Sequence, residues 1–293
     1  MKKKIGIVAD SSSGLTKKDF TEMKDLGFCP LLITFDDEET VEDDPRTFNE
    51  QDFVERITTK KQLAKTSQTP LGKMTMVWEA MLKKFEKIIF IPLSKGLSGQ
   101  YNTACVLAKE PKFKDKVHVF DSNGVSIINW AIVKKAYNMA QEKDADVTTI
   151  LTALKKISEN YQAFILPNDI TYLARGGRVS KSAAGLAKML KIKPILTFDG
   201  TIDKFDTTRT WKKAVYKALN EIIKFQKLHK TDTTLYVIDG YADKELVDET
   251  MKYIKSYSFK KTKNVKLANV IAAHTGLNAF ALVIFALDET KDL

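Results

Sequence analysis

An alternation of strand-like and helix-like segments in the first 120 residues constrains the fold more than any other feature. Lys87–Leu93 is an almost continuous apolar run, typical of a strand buried on both faces. Short apolar segments at Lys4–Ala9, Phe28–Phe35 and Val117–Phe120 alternate with helical patterns and with loops rich in glycine and serine. This order predicts an α/β domain built on a doubly wound parallel sheet, which binds ligands beyond the carboxyl ends of its strands.

Helical spacing of apolar residues marks further segments of this half. The predicted helices are Thr16–Leu26, Asn49–Thr59, Pro70–Phe85, a segment after Gly99, and the consecutive pair Val125–Lys143 and Val147–Asn160. Pro70 stands at the favoured first position of its helix, with Thr69 as the capping residue. The acidic stretch Asp36–Asp44 predicts a solvated loop.

The pattern changes near residue 161, so we expect a first domain of residues 1–160 and a smaller second domain of residues 161–293. The strands predicted in the second domain are Ala163–Leu166, Ile192–Phe198, Ile202–Thr207, Leu235–Ile238, Val265–Ala272 and Ala279–Ala286. Three helices accompany them, and two strand pairs are close enough for hairpins, one through the turn dipeptide Asp199-Gly200. This half predicts an α+β domain with a mixed or antiparallel sheet.

Composition limits the classes of partner. The net charge is +10, from 47 Lys and Arg against 37 acidic residues, but the lysines are spread over helix faces and no basic segment interleaved with aromatic residues occurs. We therefore expect no nucleic-acid binding, while an acidic protein or an anionic lipid surface remains a possible partner.

No run approaches the roughly 20 apolar residues of a membrane span. The basic start reaches Asp10 too soon for a signal peptide, and Cys29 and Cys105 lie in apolar contexts, which fits a reducing cytoplasm.

Two polar loops of the first half have the composition of an anion site. Lys65–Pro70 carries three hydroxyls and an amide before a helix, where free N–H groups attract anions. Leu93–Tyr101 places Ser98 at the start of a helix, but it lacks the spacing of a Walker loop, a dinucleotide loop or a nucleophile elbow. The Ala9–Gly14 loop is explained best as a helix cap.

Two segments of the second half also stand out. Ala273–Gly276 lies between two predicted strands and contains His274, one of three histidines. A lone histidine is more often a structural residue than a catalyst, and the absence of a second ligand at suitable spacing speaks against a metal site. Leu173–Lys181 places Arg175 and Arg178 around paired glycines, which predicts a helix–loop–helix turn or an arginine that holds a carboxylate or docks the domains.

Taken in order and spacing, these loops resemble the DegV family. The matching segments are Val8–Ser12, Lys65–Pro70, Ser94–Tyr101, Val119–Ser122, Tyr172–Ser180, Leu190–Leu196 and Ala273–Gly276. The resemblance implies a parallel-sheet first domain, a smaller second domain and a long-chain fatty acid between them, with no cofactor and no metal. This sequence departs from the family pattern at two places. Leu277 and Asn278 replace the usual proline and glycine, and Asp239-Gly240 replaces a histidine-containing pair.

Family residues carry over to this chain position by position. The fatty-acid carboxylate is expected at Thr66, Ser98 and His274, with Ser67 and Gly99 beside it. Candidate contacts to the ligand or to a partner protein are Gln68, Arg175, Arg178 and Thr275. Ala183–Leu190 and Phe280–Leu287 are apolar enough to line the acyl chain, although core packing explains them equally well.

The resemblance further implies a cytoplasmic, non-catalytic carrier, taken as a monomer. It would present the fatty acid to the ATP-binding subunit of a separate fatty acid kinase for acyl-phosphate formation, within phospholipid metabolism, with transient contact to a membrane surface. Two alternatives stay open: a serine acyl hydrolase or transferase using Ser98 and His274, and a regulatory protein that senses lipid.

Overall fold

The computed structural model describes residues 3–189, 191–229 and 234–286. They form two compact units. The first unit comprises the described residues up to Glu159 together with Ala268–Val270, and the second comprises those from Asn160 to Leu267 and from Ile271 onward.

The first unit contains seven strands and six α-helices among its described residues. Its strands are β1 (Lys3–Asp10), β2 (Gly27–Cys29), β3 (Leu32–Phe35), β4 (Thr40–Glu42), β5 (Ala64–Ser67), β6 (Phe85–Ile91) and β7 (Val117–Val119). Its helices are α1 (Lys17–Glu22), α2 (Glu50–Thr58), α3 (Leu71–Lys84), α4 (Gln100–Leu107), α5 (Ile127–Ala140) and α6 (Val147–Glu159). A short 3₁₀ turn, Ser11–Ser13, follows β1.

A four-stranded sheet in the order β2-β1-β6-β7 is the centre of this unit, and all of its pairings are parallel. Ile88, Phe90 and the rest of the apolar run in β6 are fully buried, as a strand covered on both faces requires. The indole of Trp78 on α3 packs edge-on against Phe90. The parallel α/β architecture predicted for the first half is confirmed.

A second sheet in this unit, with the antiparallel order β4-β3-β5, corrects two predictions. The single strand predicted over Phe28–Phe35 is wrong, because the chain leaves the parallel sheet after Cys29 and joins the antiparallel sheet at Leu32. Pro30 lies at this break and has no N–H to continue a ladder. The loop predicted over Asp36–Asp44 is also wrong in part, since it contains β4, whose hydrogen bonds to β3 do not depend on apolar side chains.

The second unit is built on a six-stranded sheet in the order β10-β9-β8-β13-β11-β12. Its strands are β8 (Tyr161–Leu166), β9 (Lys193–Phe198), β10 (Ile202–Thr208), β11 (Thr234–Gly240), β12 (Lys261–Lys266) and β13 (Ala279–Phe285). The remaining helices are α7 (Ile170–Gly176), α8 (Lys181–Gly185), α9 (Trp211–His229), α10 (Lys244–Lys255) and α11 (Asn269–Thr275), which begins with residues of the first unit.

All pairings in this sheet are antiparallel except β11 with β12, so the predicted mixed, largely antiparallel sheet is confirmed. The hairpin of β9 and β10 is present as well, and Gly200 at its turn has a φ of 72°, which glycine adopts without strain. Trp211, Ala214 and Ala218 of α9 pack against Phe280 and Leu282 of β13 in the core of this unit.

The strand predicted over Val265–Ala272 is wrong. β12 ends at Lys266 and α11 occupies Asn269–Thr275, so five helices rather than three accompany the described strands of this half. The hairpin expected there is also not formed, because β11 lies between β12 and β13 in the sheet. A short apolar run such as Val270–Ala273 fits one turn of buried helix as well as it fits a strand.

Candidate functional site

Asp10, the last residue of β1, is a fully buried carboxylate at the carboxyl edge of the parallel sheet. It accepts hydrogen bonds from the Ser12 N–H at 3.0 Å, the Leu93 N–H at 2.9 Å and the Gln100 side-chain amide at 3.0 Å. Burial raises the pKa of Asp10 to about 6, and these donors act in the opposite direction. The bond to Ser12 caps the 3₁₀ turn Ser11–Ser13, and not the predicted helix, because α1 is capped by Thr16. The bonds to Leu93 and Gln100 join distant segments.

The segment Lys65–Pro70 is partly strand, with Thr66 and Ser67 in β5. Thr69 is fully buried, and its hydroxyl lies 3.0 Å from the Cys29 carbonyl oxygen and 2.9 Å from that of Pro30. The prediction that Thr69 caps α3 is wrong, because no side chain accepts a hydrogen bond from the N–H groups at the start of this helix. Pro70 was predicted as the first residue of the helix, but it is the N-cap residue, and no side chain caps this helix.

Ser98 and Gly99 immediately precede α4, with Gly99 at the N-cap position. The Ser98 Oγ accepts the N–H of Gln100 at 3.2 Å, so its O–H hydrogen can point towards a ligand. Gly99 is exposed, and a side chain added there would meet only the Gln68 Oε1, at 3.6 Å.

Two hydrogen bonds join the loops that carry Thr66 and Ser98. The N–H of Thr69 donates to the Gln100 Oε1 at 2.8 Å, and the Thr103 hydroxyl donates to the Gln68 Oε1 at 3.0 Å. These bonds tie Lys65–Pro70, which carries Thr66 and Ser67, to the start of α4, which follows Ser98 and Gly99.

His274 lies in the last turn of α11, and not in a loop between two strands as expected. Thr275, the final residue of this helix, is buried, and its hydroxyl donates to the Gly276 carbonyl at 3.0 Å. Burial, and then the positive charge of Arg178, lower the pKa of His274 to about 4. The imidazole is therefore neutral at pH 7, with one N–H to donate and one nitrogen to accept.

The predicted helix–loop–helix turn is present between α7 and α8, with Arg175 in the last turn of α7 and Arg178 in the connecting loop. Gly177, with a φ of 66°, ends α7 in the left-handed conformation, and the Arg178 guanidinium donates to the Gly176 carbonyl. Both arginine side chains are exposed. Gly176 itself lies against the imidazole, since an added Cβ would be 2.7 Å from the His274 Nδ1.

Sequence reasoning missed the buried groups that organise the first-unit loops, Asp10 and Gln100. Their residue types gave a signal only for the local cap at Asp10. The bond between them links positions 90 residues apart, and such pairing has no short-range signature in a single sequence.

The DegV family model, described as "Uncharacterised protein, DegV family", matches residues 4–287. The chain belongs to the DegV family. A DegV domain-containing protein of Staphylococcus aureus is 30% identical over 95% of this chain and 97% of its own length.

Two solved structures extend the comparison. "DegV, a fatty acid binding protein from Bacillus subtilis" has a TM-score of 0.81 and 25% identity, over 96% of this chain and 99% of that one. A stearic acid-binding protein from Eubacterium ventriosum has a TM-score of 0.82 and 24% identity, with full coverage of both chains. The second likeness bears on the fold alone.

The two positions that depart from the family pattern are tied into loops of the second unit. Asp239 is buried and accepts the Lys266 ammonium at 2.6 Å and the Ala242 N–H at 2.8 Å. Asn278 has a φ of 62°, and its side-chain oxygen accepts the Asp243 N–H at 2.7 Å just before α10. Both replacements have local structural partners.

Among the described residues, no group of three or more His, Cys, Asp or Glu side chains could hold a metal ion. In the same part of the chain, no helix has the length and apolar character needed to cross a membrane.

Proposed function

We propose that this DegV protein binds a long-chain fatty acid through its carboxylate. The observation that carries the proposal is the connected pair of loops around Thr66 and Ser98, held by the buried Asp10 and Gln100. The Bacillus subtilis relative, described as a fatty acid binding protein, supports the ligand class.

The proposed carboxylate partners are hydrogen-bond donors. The hydroxyls of Thr66, Ser67 and Ser98 belong to the connected loops, and the Gly99 N–H lies at the start of α4, where the positive end of the helix dipole favours an anion. His274 is the third proposed partner, and its neutral imidazole carries one N–H that can be donated. Several donors are needed because a buried carboxylate without partners is very costly.

The same chemistry argues against a serine hydrolase based on Ser98 and His274. A general base works best with a pKa near the operating pH, and a carboxylate that orients the imidazole would raise its pKa. His274 instead has Arg178 beside it and a pKa of about 4. It is better suited to donate a hydrogen bond than to accept a proton from a hydroxyl.

We further propose that the protein works in the cytoplasm as a carrier that presents the carboxylate to the ATP-binding subunit of a fatty acid kinase and meets a membrane surface transiently. Ser67, Gln68 and Gly99 are exposed, which suits access by a second protein. Gln68, Arg175, Arg178 and Thr275 stay candidate contacts. A regulatory role for the bound lipid is the remaining alternative.

The segments proposed along the acyl chain differ in what they can contribute. Ala183 and Leu186 are buried apolar side chains in and after α8. Phe280, Leu282 and Ile284 already pack in the core of the second unit, so this face of β13 is occupied. The ends of both segments, Leu190 and Leu287, lie outside the described residues.

Native mass spectrometry of freshly purified protein, followed by lipid extraction, tests the proposal. We expect a stoichiometric adduct with the mass of a long-chain fatty acid. Each of the variants Thr66→Val, Ser98→Ala and His274→Ala should retain about tenfold less, because each removes one hydrogen bond to a charged group. Thr152→Val, on the exposed face of α6, is the matched control. A protein that stays free of ligand after incubation with oleate and palmitate overturns the proposal.

A further inference from the structure

Asp10 joins three segments of the first unit that are remote in sequence. Its carboxylate accepts from Ser12 in the turn after β1, from Leu93 after β6 and from Gln100 at the start of α4. Both Asp10 and Gln100 are fully buried, so these bonds are made without competition from bulk water.

Gln100 connects Asp10 to the loop that contains Thr69. Its Nε2 donates to the Asp10 carboxylate at 3.0 Å, and its Oε1 accepts the Thr69 N–H at 2.8 Å. Only one orientation of the amide satisfies both partners, because a flipped amide would place oxygen against the carboxylate and N–H₂ against the N–H of Thr69. The Asp10 carboxylate therefore selects the orientation that holds Thr69.

The far end of this chain of bonds is also fixed. The Thr69 hydroxyl lies within hydrogen-bond distance of the carbonyl oxygens of Cys29, the last residue of β2, and of Pro30, and its one hydrogen is shared between them. Gln100 lies two residues from Ser98, and Thr69 lies three residues from Thr66. A displacement at Asp10 would thus reach both loops.

We propose that Asp10, acting through Gln100, is the positioning residue of the fatty-acid site, and that it fixes the spacing of the Thr66 and Ser98 loops. The inference rests on the proposed function for its ligand, but its claim about the loops does not.

The groups packed around Asp10 are mostly neutral. They are the Ser12 hydroxyl and N–H, the Leu93 N–H and the Gln100 amide, while β2 contributes the Cys29 thiol. Burial, and then the Asp10 charge, raise the pKa of this thiol, so it stays neutral at pH 5–8. The other buried carboxyl nearby is Asp43, which contacts Ser11 in the turn that follows β1.

Isosteric exchanges at the two positions test the proposal. Gln100→Glu places a second carboxylate against Asp10, and the pair must share a proton to keep the bond. We expect its affinity for oleate to fall at least about tenfold more than that of the wild type between pH 5 and pH 8.

Asp10→Asn alone should weaken oleate binding about tenfold while urea unfolding stays cooperative. Asp19→Asn is the matched control, since Asp19 is a buried carboxylate of the same unit whose partners, Thr16 and Trp130, lie outside both loops. Binding by Asp10→Asn that equals that of the control would overturn the proposal.

Hydrogen exchange at the Thr69 N–H gives a readout that needs no ligand. It should be protected in the wild type and in Asp19→Asn, and at least about tenfold less protected in Asp10→Asn. If the wild type binds no oleate, the proposed function fails, and the exchange of this N–H still decides whether Asp10 fixes the loops. Unchanged protection in Asp10→Asn refutes the inference whatever the ligand result.

Discussion

Two partly or fully buried titratable side chains affect the stability of this protein with opposite dependence on pH. Asp43 accepts from the Val270 N–H at 3.1 Å and the Asn269 side-chain amide at 3.2 Å, and burial raises its pKa from 3.8 to about 7. Burial, together with Arg178, lowers the pKa of His274 from 6.5 to about 4. The folded state therefore holds the proton of Asp43 and releases that of His274.

Replacement of Asp43 by asparagine should change how stability depends on pH. The raised pKa means that between about pH 4 and pH 7 the unfolded state binds fewer protons than the folded state, so the contribution of Asp43 is lost as the pH rises. Relative to Asp43→Asn, we expect the free energy of unfolding of the wild type to fall by on the order of a few kcal/mol over this range. Urea unfolding at pH 4.5, 6 and 7.5 measures it.

Asp10 and His274 are unchanged in both proteins, so their own titrations cancel in the difference. Stability curves that run parallel from pH 4.5 to 7.5 would show that Asp43 is ionised in the folded state throughout. The variant loses one acceptor at every pH, which offsets the curves without changing their slopes.

At the scale of secondary-structure elements, the sequence predicted helices and strands correctly where one periodicity of apolar residues dominates. The buried strand around Ile88–Ile91, the amphipathic α6 and the β9–β10 hairpin were all predicted close to their observed bounds. Each has a strong local signal: a continuous apolar run, apolar residues at helical spacing, or an Asp-Gly turn.

The predictions failed where tertiary contacts decide. The chain switches sheets at Pro30, β4 is formed by hydrogen bonds to β3 rather than by apolar residues, and α11 replaces a predicted strand. The candidate site shows the same division. The loops around Thr66 and Ser98 were visible as polar segments before helices, but the bonds that connect them through Gln100 were not.

The packing of α7 against α11 yields a prediction for Gly176, the last residue of α7. A Cβ there would lie 2.7 Å from the His274 Nδ1, which is shorter than real contacts allow, so Gly176→Ala must displace the imidazole. We expect about tenfold weaker retention of fatty acid. Stability should fall by about 1–2 kcal/mol, because overpacking outweighs the helix propensity gained. Oleate titration and urea unfolding measure the two effects.

Gly185→Ala is the matched control for this exchange. Gly185 is the last residue of α8, its φ is negative, and an added Cβ would meet nothing within 4 Å. The free energy of unfolding of Gly185→Ala should rise by up to about 1 kcal/mol, because alanine reduces the backbone freedom of the unfolded chain. Gly176→Ala that behaves like Gly185→Ala in both assays would mean that the imidazole position does not matter for the ligand.

At the scale of the whole molecule, a carrier must protect an acyl chain and still release its carboxylate to a second protein. Burial of the chain contributes about 0.8 kcal/mol per methylene, which is enough to retain the lipid in water. Two of the carboxylate partners proposed in the first unit, Ser67 and Gly99, are exposed, and so is Gln68. This arrangement suits transfer of a phosphoryl group to a carboxylate that stays bound.

Reconstitution with a bacterial fatty acid kinase ATP-binding subunit tests this carrier role. With MgATP and oleate-loaded protein, we expect acyl phosphate, trapped as the hydroxamate, to form at a rate proportional to the loaded protein. Ser98→Ala and Thr66→Val should lower the rate about tenfold or more, because a loosely held carboxylate is less often aligned for attack on the γ-phosphate. Thr152→Val should match the wild type. Equal rates with free oleate and with loaded protein would mean that the kinase takes its substrate from solution, and that this protein binds lipid for another purpose.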